Sequence, residues 1–273
     1  MTAWLMREIE LIGHSGCKLK IIRKNDVTLI RKTSSSFSYN KRLEQQIFKQ
    51  RYFTSEILQT PKIYDVGYVD QLLYFDMEYI NGIKFSEYIS INKFEDSKEI
   101  FYKLLQFINN NFSSENISVS KDVEAKLYDL KKVLNINPVT HDFIVQNSSS
   151  LMPSGNCHGD LTFENILIYN NQIYLIDFLD SYISSPIMDI AKLFQELMLN
   201  WSNRFKKDDF LLNVKYYYLK KDIENYLFKQ NHDFRNHLNA QIIMTLLRIL
   251  PYSNNLNLNY HLILKIHQII NKL

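Results

Sequence analysis

Residues 157–180 read CHGDLTFENILIYNNQIYLIDFLD, and this stretch decides the fold. ENILIYNNQIYLIDF is two apolar runs around Asn170 and Asn171, the pattern of a small β-hairpin. Three oxygen-bearing residues frame it: Asp160, Asn165 five residues later, and Asp177 twelve further on at the end of the second run. Phosphoryl transfer from a nucleotide asks little covalent chemistry of a protein. It asks for a carboxylate near the acceptor hydroxyl and for oxygen ligands that hold Mg²⁺ on the phosphates. Singly, Asp160 could cap a turn, Asn165 could end a loop, and Asp189 could be a first-turn acid favoured by a helix dipole. Jointly, the spacing around a hairpin points to the chemistry.

On the C-terminal side, Ser185, Pro186, Ile187, Ile190, Ala191, Phe194 and Leu197 predict a capped helix with Pro at its first position. Residues 205–273 read as two or three further helices. On the N-terminal side, helices are expected at 84–90, 98–112 and 122–134, the second with Ser97 as its cap. Further back, residues 8–32 alternate short apolar runs with turn signals, which predicts three antiparallel strands. Leu43, Ile47, Phe48 and Tyr52 fall at helical spacing, and KIYDVGYV and QLLYFDMEYI predict two more strands with Gly67 near their turn. The expectation is a bilobal α+β chain. Residues 1–80 form a nucleotide-binding lobe, a five-stranded antiparallel sheet plus one helix, and residues 81–273 form a mostly helical catalytic and acceptor-binding lobe that carries the hairpin. Asn81, Gly82 and Ile83 mark the boundary.

Composition narrows the function classes. The chain has 273 residues, 46% of them hydrophobic, which is enough for a sizeable core without disulfide or metal staples. A net charge of +3 gives no single-sign field of the kind a nucleic-acid or acidic-membrane partner needs. No stretch approaches the roughly 18 apolar residues of a membrane span. The N-terminal MTAWLMREIELIG carries acids where a signal peptide is uninterruptedly apolar, so the expected location is the cytoplasm. Cys17 and Cys157 cannot build a disulfide framework or a four-ligand zinc site, and read as small buried hydrophobes.

HGDLTFEN (158–165), IDF (176–178) and SPIMDIA (185–191) resemble the aminoglycoside phosphotransferase and choline kinase family of small-molecule kinases, which has a protein-kinase-like fold. The resemblance is strong over 157–195 and weaker over the N-terminal lobe. It implies ATP and Mg²⁺ as cofactors, Asp160 as catalytic base or acceptor-orienting carboxylate, and Asn165 and Asp177 as metal ligands. It also implies a structural part for His158 in the catalytic loop and a bracing part for Asp189. In the N-terminal lobe it puts Gly13, Ser15 and Gly16 in a phosphate-covering loop, Lys32 on the α- and β-phosphates, and Glu44 on the following helix as ion-pair partner of Lys32. Met77, Glu78 and Ile80 then resemble the hinge, with the Glu78 carbonyl and the Ile80 amide toward adenine.

Departures from the protein-kinase pattern bear on the acceptor. His-Gly-Asp stands for His-Arg-Asp, DFL for DFG, and only eight residues separate Asp177 from Pro186, too short for a peptide-binding activation segment. A small-molecule hydroxyl acceptor is therefore expected. HGDLTFENIL, IDFLDS and SPIMDIAKL look most like phosphotransferases of bacterial surface-polysaccharide synthesis, which implies a sugar or related polyol. A choline or ethanolamine kinase stays open, with Trp201 and Tyr216, Tyr217 and Tyr218 as candidate faces for a cation. So does an aminoglycoside kinase, although Glu196, Asp208, Asp209, Asp222 and Glu224 are balanced by lysines. A catalytically idle nucleotide-binding module and a metal-dependent phosphohydrolase are the alternatives from other classes. Oligomeric state and roles for Glu164 and Asp180 do not follow from the residues.

Overall fold

The structure is a computed structural model that describes residues 9–11, 17–24, 26–227 and 232–271. In chain order its first elements are β1 (Ile9–Leu11), β2 (Cys17–Lys24), β3 (Val27–Ser34), α1 (Asn40–Arg51), β4 (Ile63–Val69), β5 (Leu72–Glu78) and β6 (Ile83–Lys84). Then follow α2 (Phe85–Ile91), α3 (Phe94–Asn110), β7 (Phe112–Ser118), α4 (Ser120–Lys131), α5 (Pro138–Gln146) and β8 (Leu151–Gly155). The hairpin β9 (Ile166–Tyr169) and β10 (Gln172–Leu175) comes next, and α6 (Ile187–Leu199), α7 (Phe210–Leu227), α8 (His232–Leu247) and α9 (Leu256–Ile270) complete the chain. The chain divides into two compact units: residues up to Lys84 together with Asn165–Asp180, and Phe85–Glu164 together with Ser181–Leu273.

In the first unit a five-stranded antiparallel sheet runs β1-β2-β3-β5-β4. Strand alternation puts neighbouring side chains on opposite faces. Lys32 sits opposite Phe75 in the β3–β5 register, and Phe75 packs with Cys17, Leu43, Ile47 and Leu73, so Lys32 lies on the face that α1 covers. Arg31 points the other way, where its guanidinium makes two hydrogen bonds of 2.7 and 2.8 Å to the buried Asp76 carboxylate. The β4–β5 turn is Asp70-Gln71, both at positive φ, and Gly67 lies inside β4 opposite Tyr74 instead of at the turn. The second sheet runs β10-β9-β6, closed by Asn170 and Asn171 at φ 49° and 59°, the left-handed pair a tight hairpin turn requires. Gly82 brings the chain onto β9: a Cβ there would meet the Ile168 carbonyl oxygen at 2.9 Å.

The second unit is helical around a large aromatic core. Fully buried Phe163 meets Phe85, Tyr216 and Phe101 edge-on, at ring-centroid distances of 4.9, 5.5 and 6.3 Å. Most of α6 is buried. Three features depart from expectation. The antiparallel β7–β8 pair is unexpected because β7, FSSENIS, lacks the apolar alternation that marks a half-buried strand. The short helix α5 begins with Pro138 and is capped by Asn137, whose side chain accepts from the Val139 amide. Ser97 is not a cap: α3 starts three residues earlier, and the buried Ser97 hydroxyl donates to the Lys93 carbonyl one turn back.

Truncating Phe163 removes the ring that three aromatic neighbours enclose. Phe163→Ala is expected to lower stability by about 3–5 kcal/mol, read as a shifted midpoint in chemical denaturation of the full chain.

Candidate active site

The loop from His158 to Phe163 belongs to the second unit, and α6 holds it along one stripe. Asp189 is almost fully buried; its carboxylate accepts from the His158 amide at 2.7 Å and the Gly159 amide at 2.9 Å. Lys192, one turn on, pairs with the Asp160 carboxylate at 3.0 Å. Glu196, a further turn along, accepts from the Phe163 amide at 3.2 Å. Positions i, i+3 and i+7 lie on one side of a helix, so three consecutive points of the loop are fixed by one helix face. Gly159 sits at φ 89°, a conformation L side chains rarely adopt, which gives the His-Gly-Asp departure a backbone reason. The buried His158 ring accepts the Asp160 amide proton at Nδ1, 3.2 Å away, so its observed part is to shape the loop.

Electrostatics follow from these contacts. Burial pushes the Asp160 carboxyl up, but the Lys192 ammonium, with smaller help from His158 and Arg248, more than offsets it and holds the group below its usual range. Asp160 is therefore ionised at neutral pH. Glu196 is the opposite case. Burial dominates over the donors Ser202 N–H at 2.8 Å, Ser202 O–H at 2.7 Å and the Phe163 amide, and pushes its pKa up to about 7. Glu196 thus braces the loop and the Trp201–Asn203 turn, and is not available as an acidic wall for a polyamine. Tyr216 is buried against Phe163, with its hydroxyl accepting from Asn203 at 3.2 Å, whereas Tyr217 and Tyr218 are exposed. Glu164 lies 3.9 Å from Arg204, which stacks 4.1 Å from the Trp201 ring centre.

In the first unit the ammonium of Lys32, 3% exposed, pairs with the Asp177 carboxylate and donates to Gln46 Oε1 at 2.8 Å. The helix partner is thus Gln46 and not Glu44. Leu43, Gln46, Ile47 and Gln50 form the buried face of α1, and Glu44, one residue from Leu43 and two from Gln46, turns about 100° and 200° away from them into solvent. Asp177 itself stands at φ 64°, which turns the chain sharply after β10. Asn165 ends a single 3-10 turn, and its carbonyl accepts from the Ile176 amide at 3.0 Å, tying the hairpin's mouth together.

Met77 and Glu78 end β5, with the last β3–β5 pair at Leu29 and Glu78. Residues 79–82 then leave the sheet before β6, and Ile80 is buried. Gly13, Ser15 and Gly16 lie outside the described residues. Lys192 and Gln46 were missed in the sequence. Lys192 had a signal, three residues after Asp189 on the same helix face; Gln46 had one in its phase with Leu43 and Ile47.

Residues 122–220 match the family described as a phosphotransferase enzyme family. A search of curated proteins gave no match. Among solved structures, a thermostable mutant of aminoglycoside phosphotransferase APH(4)-Ia, in ternary complex with AMP-PNP and hygromycin B, superposes with a TM-score of 0.71 at 13% identity, over 97% of this chain and 93% of that one. A candidate fructosamine-3-kinase from Haemophilus somnus 129PT gives 0.59 at 15% identity, over 97% and 90%. An aminoglycoside-3'-phosphotransferase of type VIII gives 0.54 at 12% identity, over 86% and 93%. The fold is that of the protein-kinase-like small-molecule kinases. The family match covers most of helix α4, the loop at His158–Phe163, the hairpin and α6. Among the described residues no helix is long and apolar enough to cross a membrane.

The raised Glu196 pKa makes a stability prediction. Between the unfolded value near 4.5 and the folded value of about 7 the native state holds a proton the unfolded chain has lost, so stability falls as pH rises through that window. The loss is about 3 kcal/mol in all. Glu196→Gln, which cannot ionise, should flatten the decline in denaturation midpoints measured from pH 4.5 to 7.5.

Proposed function

We propose that the chain transfers the γ-phosphoryl group of ATP to the hydroxyl of a small-molecule acceptor. The observation that supports this best is Asp160, ionised by Lys192 on a loop pinned by Asp189. Asp160 receives the acceptor proton as the acceptor oxygen bonds to phosphorus. The bond to the β-phosphate bridging oxygen breaks, and its electron pair leaves with ADP. His158 positions the Asp160 backbone. Lys32 holds the non-transferred phosphates, Gln46 keeps its ammonium in place, and Glu78 and Ile80 offer backbone groups to the base beside Met77. Gly13, Ser15 and Gly16, outside the described residues, keep the phosphate-covering part that the sequence resemblance implies.

Mg²⁺ would be held by Asp177 and Asn165. The donor set fits: Mg²⁺ on nucleotide phosphates takes one or two protein oxygens and water, not an all-protein cage. Among the described residues no three His, Cys, Asp or Glu side chains cluster into such a cage. When bound, the metal neutralises phosphate charge. The acceptor is read as a sugar or related polyol of bacterial surface-polysaccharide synthesis, on the wording of HGDLTFENIL and SPIMDIAKL, with the cytoplasm, where ATP is supplied, as the place of reaction. The aromatic cage that a choline kinase would need finds little support in buried Tyr216.

Two variants test the assignment. Asp160→Asn should lower turnover roughly 10² to 10⁴-fold while ATP affinity changes less than about twofold; unaltered turnover would remove Asp160 from the role. Asp177→Ala should abolish the gain in ATP affinity that Mg²⁺ gives the wild type, measured by calorimetric titration with and without the metal.

A further inference from the structure

The last helix of the chain is apolar on two sides. α9 reads LNLNYHLILKIHQII, and its inner side is marked by the buried Leu262 and Ile266, with Leu258 and Ile269 half-buried beside them. The helix packs on α5 and α8. At 100° per residue, Leu256, Tyr260, Ile263 and Leu264 fall on a second stripe, about 150° round the helix from the first. These four are 83%, 65%, 48% and 38% exposed. Apolar stripes on both sides are the pattern of an interior helix, not of a surface one. The outer stripe begins at a well-made helix end. The Asn255 side chain accepts from the Leu258 amide at 3.1 Å, and Asn259 Nδ2 donates to the Ser253 carbonyl at 3.2 Å.

Charge, sequence order and area select what covers this stripe. α9 has no acidic residue and a single lysine, Lys265, which donates to Gln268 at 3.3 Å, so it lacks the basic face of a helix that lies on an anionic membrane. Its apolar order is the same in both directions about Tyr260: Leu256 and Leu264 stand four residues to either side, Leu258 and Leu262 two. Turned end over end across a two-fold axis at Tyr260, the stripe therefore meets itself, with Leu256 opposite the partner's Leu264. Rows at a spacing of four pack into one another, and an antiparallel pair sets the two helix dipoles head to tail. The four exposed residues offer about 500 Å² on each copy, so pairing buries about 1,000 Å² before any rim residue is counted, the size at which a specific interface begins.

We propose that the outer face of α9, Leu256, Tyr260 and Leu264 flanked by Ile263, is a homodimer interface in which two copies of the helix pack antiparallel about an axis near Tyr260. The inference uses no part of the kinase reading, and none of these residues has a part in the reaction. An interface of this size is at the low end of the specific range, so the dimer dissociates on dilution.

Sedimentation velocity of the full chain tests this. The mass of two chains is expected at about 100 µM, falling toward that of one chain on dilution to about 1 µM. Tyr260→Glu sets two carboxylates against each other at the axis and should raise Kd at least about a hundredfold. Leu256→Lys and Leu264→Glu should each weaken the dimer alone. An equimolar mixture of those two variants should recover it, because an antiparallel pair then sets an ammonium against a carboxylate at one end and keeps leucine against leucine at the other. All three positions are exposed, so the variants keep the fold, which circular dichroism checks. A single chain at every concentration, a dimer that Tyr260→Glu leaves intact, or variants that dissociate and do not recover on mixing would overturn the proposal. So would a single chain that floats with vesicles of phosphatidylglycerol and phosphatidylcholine and loses that binding in Tyr260→Glu, which would make the face a lipid-docking surface.

Discussion

Asp189 is a carboxylate taken almost wholly out of water, and two backbone amides, those of His158 and Gly159, replace its hydration. An unpaired charge in such a place would cost several kcal/mol, so the loop and the helix are bound to each other: neither can move without exposing that cost. The remaining contacts follow the same stripe. Lys192 and Glu196 continue it to Asp160 and Phe163. Phe163 in turn fills the aromatic core with Phe85, Phe101 and Tyr216, so the loop is held from the helix on one side and from the core on the other. A carboxylate positioned this way needs little reorganisation to meet a ligand, which is what the proposed phosphoryl transfer would ask of Asp160.

The first unit solves a related problem with a buried cation. Lys32 must sit on the helix-covered face of the sheet, and its desolvation is offset by Asp177 and Gln46. The partner on α1 is neutral, and the carboxylate that pairs with this ammonium among the described residues is one that also ends the hairpin. Strand alternation sends Arg31 to the opposite face and onto Asp76, and the two basic neighbours thereby serve unrelated ends.

Much of this was legible in the sequence because it rests on local rules. The hairpin was visible in two apolar runs around Asn170 and Asn171, whose positive φ values are what that dipeptide supplies. The sheet was visible in period-two runs, and α6 in its apolar spacing behind Ser185 and Pro186. What was not legible depends on phase or on partners distant in sequence. Glu44 has the right chemistry for Lys32, but the helix phase set by Leu43 and Ile47 presents Gln46. The β7 strand is polar on both sides and gives no periodic signal, and Ser97 resembles a cap until α3 is seen to begin earlier. Glu196 looked like one more acidic residue near an acceptor; only burial and three donors reveal it as a brace.

The central claim is that an ionised Asp160, held by α6, serves transfer of phosphate to a hydroxyl. Phosphorus NMR of the full chain with Mg-ATP and a panel of neutral, anionic and amino-substituted sugars and polyols tests it most directly. The γ-phosphate resonance of ATP is expected to decline as a new phosphomonoester resonance grows in equal amount, with ADP as the other product. Decline of ATP into inorganic phosphate alone, or the same phosphomonoester formed at an undiminished rate by the Asp160→Asn protein, would contradict it.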